Sequence, residues 1–278
     1  MKTSNSDIAK KLAQLRYVYI FMNNNFLICQ LSDIHFTDGF KKLFNQINTA
    51  EQFIKTVNYC NNLNPQPDLY IMSGDLIDGK PEYYENFINI SNRLQKPYYL
   101  MMGNHDVRNQ LQKFISNKNL IDSNGYINFS LNNHPIKIIC LDTAINNMIE
   151  GEITIETMKW LKDELSMDLN KPTIIFMHHP PINIGSKIFD NIKCKNGNEF
   201  LQLTKEYQNI SKIVFGHVHC KFNKNVENQE LLSCPSASFQ IPIEAKSPEN
   251  LLIDKSSFIQ LFKWDKDLNL DIHLININ

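Results

Sequence analysis

A chain of 278 residues with 42% hydrophobic and 21% charged side chains has a globular composition, which excludes a disordered or fibrous protein. A formal net charge of −1 argues against a broadly basic nucleic-acid surface. No apolar run approaches the roughly eighteen residues of a membrane-spanning helix, so no membrane association is expected.

In chain order, residues 1–25 form an N-terminal extension without a motif, where Ile8, Leu12 and Leu15 suggest a weak amphipathic helix. The main domain is taken as 26–278, a single unit. Phe26–Leu31 predicts a strand that runs into Ser-Asp-Ile-His. A helix follows over 46–60, with Ile47, Phe53, Ile54, Val57 and Cys60 on one face. Leu69–Met72 predicts a strand before Ser-Gly-Asp, and a helix over 82–94 carries Tyr84, Phe87, Ile88 and Leu94. Strands over 98–102 and 136–141 lead into Gly-Asn-His-Asp and Asp142. A helix over 154–165, with Ile155, Met158, Leu161 and Leu165, precedes strand Thr173–Met177 and its His-His-Pro-Pro. Strand 213–215 ends in Gly-His-Val-His. Residues 183–200 and 236–250 read as long loops that would set specificity.

Strands alternating with helices predict an α/β fold, whose ligands sit at the carboxyl ends of the strands. The polar clusters fall there. Of the eight histidines, His35, His105, His178, His179, His217 and His219 lie in these clusters, with Asp33, Asp75, Asp78, Asn104 and Asp106. Asp33/His35 and His217/His219 are spaced two apart, so in an extended chain each pair points to one side. Mixed nitrogen and oxygen donors suit Mn, Fe or Zn and not a calcium cage. His134 and His273 read as structural or surface residues, and Asp142 as a turn or capping residue. Cys220 reads as a buried thiol, and the Lys-rich 187–195 stretch as solvated loop. Arg108 faces either a substrate phosphate or a salt bridge. Six cysteines without a CxxC pair read as free thiols, which together with the absence of a signal-peptide pattern suggests the cytoplasm.

Five segments occur in order: Asp33-Ile-His35, Gly74-Asp75-Leu-Ile-Asp78, Gly103-Asn104-His105-Asp106, His178-His179-Pro180 and Gly216-His217-Val-His219. Together they resemble the signature motifs of the calcineurin-like metallophosphoesterases. Leu141-Asp142-Thr143, Pro181, and Cys234-Pro235-Ser236 with Gln240 resemble the bacterial cyclic-nucleotide phosphodiesterase and glycerophosphodiesterase branch. The resemblance implies a four-layer α/β/β/α sandwich and two divalent metal ions (Mn, Fe or Zn). Asp33, His35 and His219 would hold the first ion; Asn104, His178 and His217 the second; Asp75 would bridge. His179 competes with His178 for its place. His105 would be the catalytic histidine and Asp78 its orienting partner. Two carboxylates against two divalent ions leave about +2, or about +1 with a bridging hydroxide, which attracts a phosphoester anion. The implied reaction is hydrolysis of a small phosphodiester, cAMP or a related 3′,5′-cyclic nucleotide first, by attack of that hydroxide. A glycerophosphodiesterase or broad phosphoesterase, a non-catalytic metal-binding scaffold, and a DNA nuclease of this superfamily, which would need an extended basic face or extra capping domains, are the rival readings.

Overall fold

The computed structural model describes residues 25–247 and 253–277. The N-terminal extension, apart from Asn25, lies outside the described residues, as do positions 248–252 near the second expected loop. The strands in chain order are β1 (Phe26–Leu31), β2 (Leu69–Met72), β3 (Tyr98–Leu100), β4 (Phe129–Leu131), β5 (Lys137–Leu141), β6 (Thr173–Met177), β7 (Ile210–Phe215), β8 (Asn223–Val226), β9 (Gln229–Ser233), β10 (Phe258–Trp264) and β11 (Leu270–Asn276). The helices are α1 (Thr49–Asn61), α2 (Tyr83–Ser91), α3 (Arg108–Phe114), α4 (Ile155–Ser166) and α5 (Gly197–Thr204).

The six apolar runs of the sequence are β1, β2, β3, β5, β6 and β7. Most are buried along their whole length, which is why they read as continuous apolar runs and not as alternations. They divide between two sheets. One has the order β11-β10-β1-β2-β3, the other β4-β5-β6-β7-β9-β8. Within the first, β1, β2 and β3 are parallel; within the second, β5, β6, β7 and β9 are parallel.

Alternate residues of the second sheet serve two cores. Ile138, Cys140, Ile174, Phe176 and Val214 pack toward the first sheet, where Phe176 meets Phe262 edge-on at 5.6 Å. Ile139, Leu141, Ile175, Met177 and Phe215 pack against Leu161 and Leu165 of α4 and Phe200 and Leu201 of α5. Phe53 and Val57 of α1 and Phe87 of α2 belong to the first core, with the Phe53 and Phe87 rings stacked at 5.0 Å. The architecture is therefore an α/β/β/α sandwich. Asn48 caps α1 through the Glu51 N–H, and Thr154 caps α4 through the Thr157 N–H, which fixes both starts.

The reading of 183–200 as pure loop is corrected: α5 begins at Gly197, and a 3₁₀ turn spans Phe189–Asn191. The third strand is shorter than read, because Met101 makes a last bond to Met72 before the chain turns at Gly103.

Candidate metal centre

Parallel strands in both sheets deliver their carboxyl ends to one edge of the sandwich, and the polar clusters converge there. The β1–β2 ladder continues past the strands: Asp33 N–H bonds Gly74 O at 3.1 Å and His35 N–H bonds Asp75 O at 2.9 Å. Asp33 ties the two sheets together, since its carboxylate accepts the His217 N–H at 3.0 Å. Asp75 Oδ1 accepts the His105 N–H at 2.9 Å.

The paired residues do not converge by strand alternation, as the spacing suggested. Asp33, His35, Asp75, His217 and His219 all lie in the left-handed region, with φ of 53°, 46°, 50°, 69° and 49°. Such backbone costs on the order of 1 kcal/mol or more per residue and clusters at functional sites. Two glycines make room. A Cβ on Gly103 would lie 2.2 Å from Asp75 N and Oδ1. One on Gly74, itself at φ +97°, would lie 2.5 Å from His178 Nδ1.

Two donor groups flank Asp75. On one side, His219 Nε2 is 3.4 Å from Asp33 Oδ1 and 3.0 Å from His35 Nε2. On the other are His178 Nε2 and His217 Nε2, both buried and without a hydrogen-bond partner, and Asn104 Oδ1, on the turn next to His105, is a further buried acceptor without one. Asp75 reaches both, with Oδ2 3.5 Å from His35 Nε2 and Oδ1 3.4 Å from His178 Nε2. Buried polar atoms are normally satisfied. Two orphaned imidazole nitrogens, one of them 3.4 Å from Asp75, form a group that could hold a cation. The Nδ1 atoms of His178 and His219 are bonded to Ser73 O at 2.9 Å and Phe239 O at 3.0 Å, which turns each Nε2 lone pair inward.

Protonation fits the same picture. Burial, then neighbouring histidines, hold His35 and His217 far below the usual imidazole range, so both are neutral donors. His178 is the exception. Burial opposes its charge, but Asp75 outweighs burial and lifts it to about 9.

His179 is also buried, but both its nitrogens are engaged, Nδ1 with Thr143 Oγ1 at 2.8 Å and Nε2 with Ile149 O at 3.1 Å. Of the adjacent histidines, His178 therefore offers the free donor. His105 stands at the mouth, 43% exposed, with Nδ1 3.5 Å from Asp78 Oδ1. Burial lowers its pKa, but Asp75 and the bond to Asp78 prevail and raise it to about 9. Asp106 does not reach the donors. It pins the turn by accepting from Gly103 N at 2.9 Å and Tyr84 Oη at 3.0 Å.

Arg108 makes the salt bridge: it pairs with buried Asp142, donates to Ala144 O at 2.6 Å and covers the Tyr126 ring at 4.4 Å. Ser236, from the secondary motif, donates to Asp33 O at 2.7 Å and supports the first donor group from behind. His134 stacks on Phe26 at 5.0 Å, and His273 pairs with Asp271 at 3.2 Å. Cys220 is only partly buried.

Three neighbours went unread in the sequence. Lys41 Nζ is 3.1 Å from Asp78 Oδ2; the Phe239 ring lies 4.4 Å from that of His219; Phe44 packs edge-on against Phe239 at 5.3 Å. Each sits alone in a loop, with no spacing to mark it.

The family model for calcineurin-like phosphoesterases matches residues 26–221. The chain is a calcineurin-like phosphoesterase. A 3′,5′-cyclic-nucleotide phosphodiesterase of Nostoc sp. is 32% identical over 214 residues, covering 77% of this chain and 79% of that protein. A probable glycerophosphodiester phosphodiesterase of Arcobacter nitrofigilis is 28% identical, covering 89% and 92%. A dimetal phosphatase from Danio rerio shares the fold at 11% identity, with a TM-score of 0.66 over 91% of this chain and 99% of that one. Membership makes this calcineurin-like phosphoesterase a hydrolase that uses two divalent metal ions, and the donors flanking Asp75 fit that requirement. Among its described residues, no helix is long and apolar enough to cross a membrane.

Proposed function

We propose that the protein hydrolyses 3′,5′-cyclic nucleotides, cAMP first, at a two-metal centre. The observation that carries this reading is the pair of orphaned buried donors, His178 Nε2 and His217 Nε2, grouped beside Asp75 across from Asp33, His35 and His219, with Asn104 Oδ1 orphaned on the turn whose His105 N–H bonds Asp75. Asn104, His178 and His217 hold one ion, Asp33, His35 and His219 the other, and Asp75 both. Such ions, when bound, would lower the pKa of a water and offset charge on the phosphoryl oxygens.

The remaining work falls to the chain. Asp78 holds His105 Nδ1, and Lys41 holds the other oxygen of Asp78, so the imidazole keeps one orientation. Nε2 of His105 is left to donate a proton to the departing ribose oxygen. General-acid assistance of this kind contributes about 10²–10⁴ in rate. The choice of cyclic nucleotide is supported by the similarity to the Nostoc enzyme. A second reading, a glycerophosphodiesterase, is favoured by the longer match to the Arcobacter protein and uses the same residues. Six free cysteines, five of them buried, support a reducing compartment, and we place the protein in the cytoplasm.

The test is a substrate panel on protein reconstituted with Mn²⁺, Fe²⁺ or Zn²⁺: cAMP, glycerophosphocholine and nitrophenyl phosphate side by side. Hydrolysis of cAMP above the other two is expected. A preference for glycerophosphocholine selects the second reading, and a preference for the monoester overturns both.

A further inference from the structure

Away from the metal centre, a cleft of about 360 Å³ opens where the two sheets end, between edge strands β3 and β4 and helix α4. Tyr99 and Phe129 form one wall, their ring centroids 5.8 Å apart. Trp160 and Glu164, one helical turn apart on α4, line the cleft as well. Glu164 is 9% exposed, and its Oε2 is buried without a hydrogen-bond partner. An acceptor left in that state is costly, and more so when it is charged. Lys137 does not relieve it: its ammonium donates to the main-chain carbonyl of Glu164, not to the carboxylate. Among the described residues, no lysine or arginine lines the cleft, and its further polar wall is of amides, a hydroxyl and the His134 imidazole, among them Asn117, Asn132 and Ser130.

We propose that this cleft is a second, non-catalytic binding site for an organic ammonium ion, with nitrogen at the Glu164 carboxylate and carbon skeleton against Trp160 and Tyr99. An ammonium brings donors only, which suits one carboxylate among neutral amide oxygens. Aromatic faces attract such a cation further. A divalent metal does not suit the cleft, since it needs several oxygen ligands with more than one carboxylate's charge.

Trp160 supplies its own reporter, because Trp264, the second of the chain's two tryptophans, is 1% exposed in the core. Metal-loaded protein is titrated with putrescine and spermidine, and with 1,4-butanediol as a neutral counterpart of putrescine, following tryptophan emission and heat. At least one amine is expected to bind saturably and shift the emission, and the diol is not. Glu164→Gln should weaken that amine at least about tenfold, as loss of a charge-assisted bond does. Its phosphodiester hydrolysis should be unchanged. Trp160→Phe should still release heat on binding while losing the emission change. If Glu164→Gln does not fold, Ser130→Lys, which puts a cation into the cleft, must abolish amine binding in its place. Saturable binding of no amine, equal binding of amine and diol, or amine affinity unmoved by Glu164→Gln or Ser130→Lys overturns the proposal.

Discussion

Replacing Gly103 with alanine places a methyl group 2.2 Å from both the amide nitrogen and Oδ1 of Asp75. Ordinary van der Waals contact begins at 3.4 Å, so about 1.2 Å must be found by moving one of the two loops. Asp75 cannot yield alone. Its carbonyl accepts the His35 N–H and its Oδ1 the His105 N–H, each at 2.9 Å, so any shift carries His35 and His105 with it. Overpacking of this kind costs about 1–3 kcal/mol, which in a chain of this size lowers Tm by several degrees. The site is far less tolerant than the fold. Metal–ligand distances hold to about 0.2 Å, and a misplacement of about 1 Å costs on the order of 100-fold in rate. Gly103→Ala is therefore expected to fold, to retain fewer than two Mn²⁺ per chain after dialysis, and to lose at least about 100-fold in kcat on bis-nitrophenyl phosphate. Gly79→Ala is the control. Gly79, unlike Gly103, has a positive φ, +72°, and a Cβ there meets nothing within 4 Å, so that variant carries a backbone cost without a steric clash and keeps its metals. Full metal content and normal rate in Gly103→Ala would refute the reasoning, because Asp75 would then be free to move without harm.

Asp75→Asn should bind fewer than two metal ions, by elemental analysis, and lose nearly all activity; unchanged metal content would remove Asp75 as the bridge. His105→Ala should keep both ions but lose about 10²–10⁴ in rate on a ribose ester, and far less on a nitrophenyl ester whose leaving group needs no proton. An equal loss on the two esters would assign His105 to substrate positioning instead. Arg108→Met leaves the carboxylate of Asp142, which is 0% exposed, without its cation, and should cost about 3–5 kcal/mol by denaturant unfolding while metal content stays normal. A chain that starts at Met22 should fold and keep its activity, measured by melting and by diester hydrolysis; failure to fold would make the first 21 residues part of the core.

The fold was legible where strands are buried on both faces and end in ligand-type residues, because that combination is a local pattern. β10 is also a largely apolar run, but the Asp265-Lys266-Asp267 that follows it matches none of the five motifs, so a search keyed to those motifs passes over it. β8 is Asn-Lys-Asn-Val, polar and largely exposed, and β11 is a half-exposed edge strand; pairing with β9 and β10, not composition, makes them strands. α5 starts at Gly197 without a side-chain cap, which hid it inside an apparent loop. The candidate site was legible in its donor residues, since side-chain chemistry is written in the sequence. How the donors are aimed was not: five left-handed backbones, stabilised by bonds between loops more than 40 residues apart, leave no mark on local spacing. Lys41 and Phe239 escaped for the same reason.

The bond from His217 to Asp33 crosses from one sheet to the other, and each donor group does the same. Asp33 and His35 follow a strand of the first sheet and His219 one of the second; Asn104 and Asp75 follow the first, His178 and His217 the second. The first sheet alone presents Asp33, His35 and Asp75 to one proposed ion but only Asn104 and Asp75 to the other, and the second sheet alone presents one donor to the first and two to the second. During folding, such a centre assembles only once the two sheets have docked, so tight cation capture reports completed tertiary structure and not secondary structure. The ions then act on the reverse process as well, holding the seam between the sheets and slowing their separation.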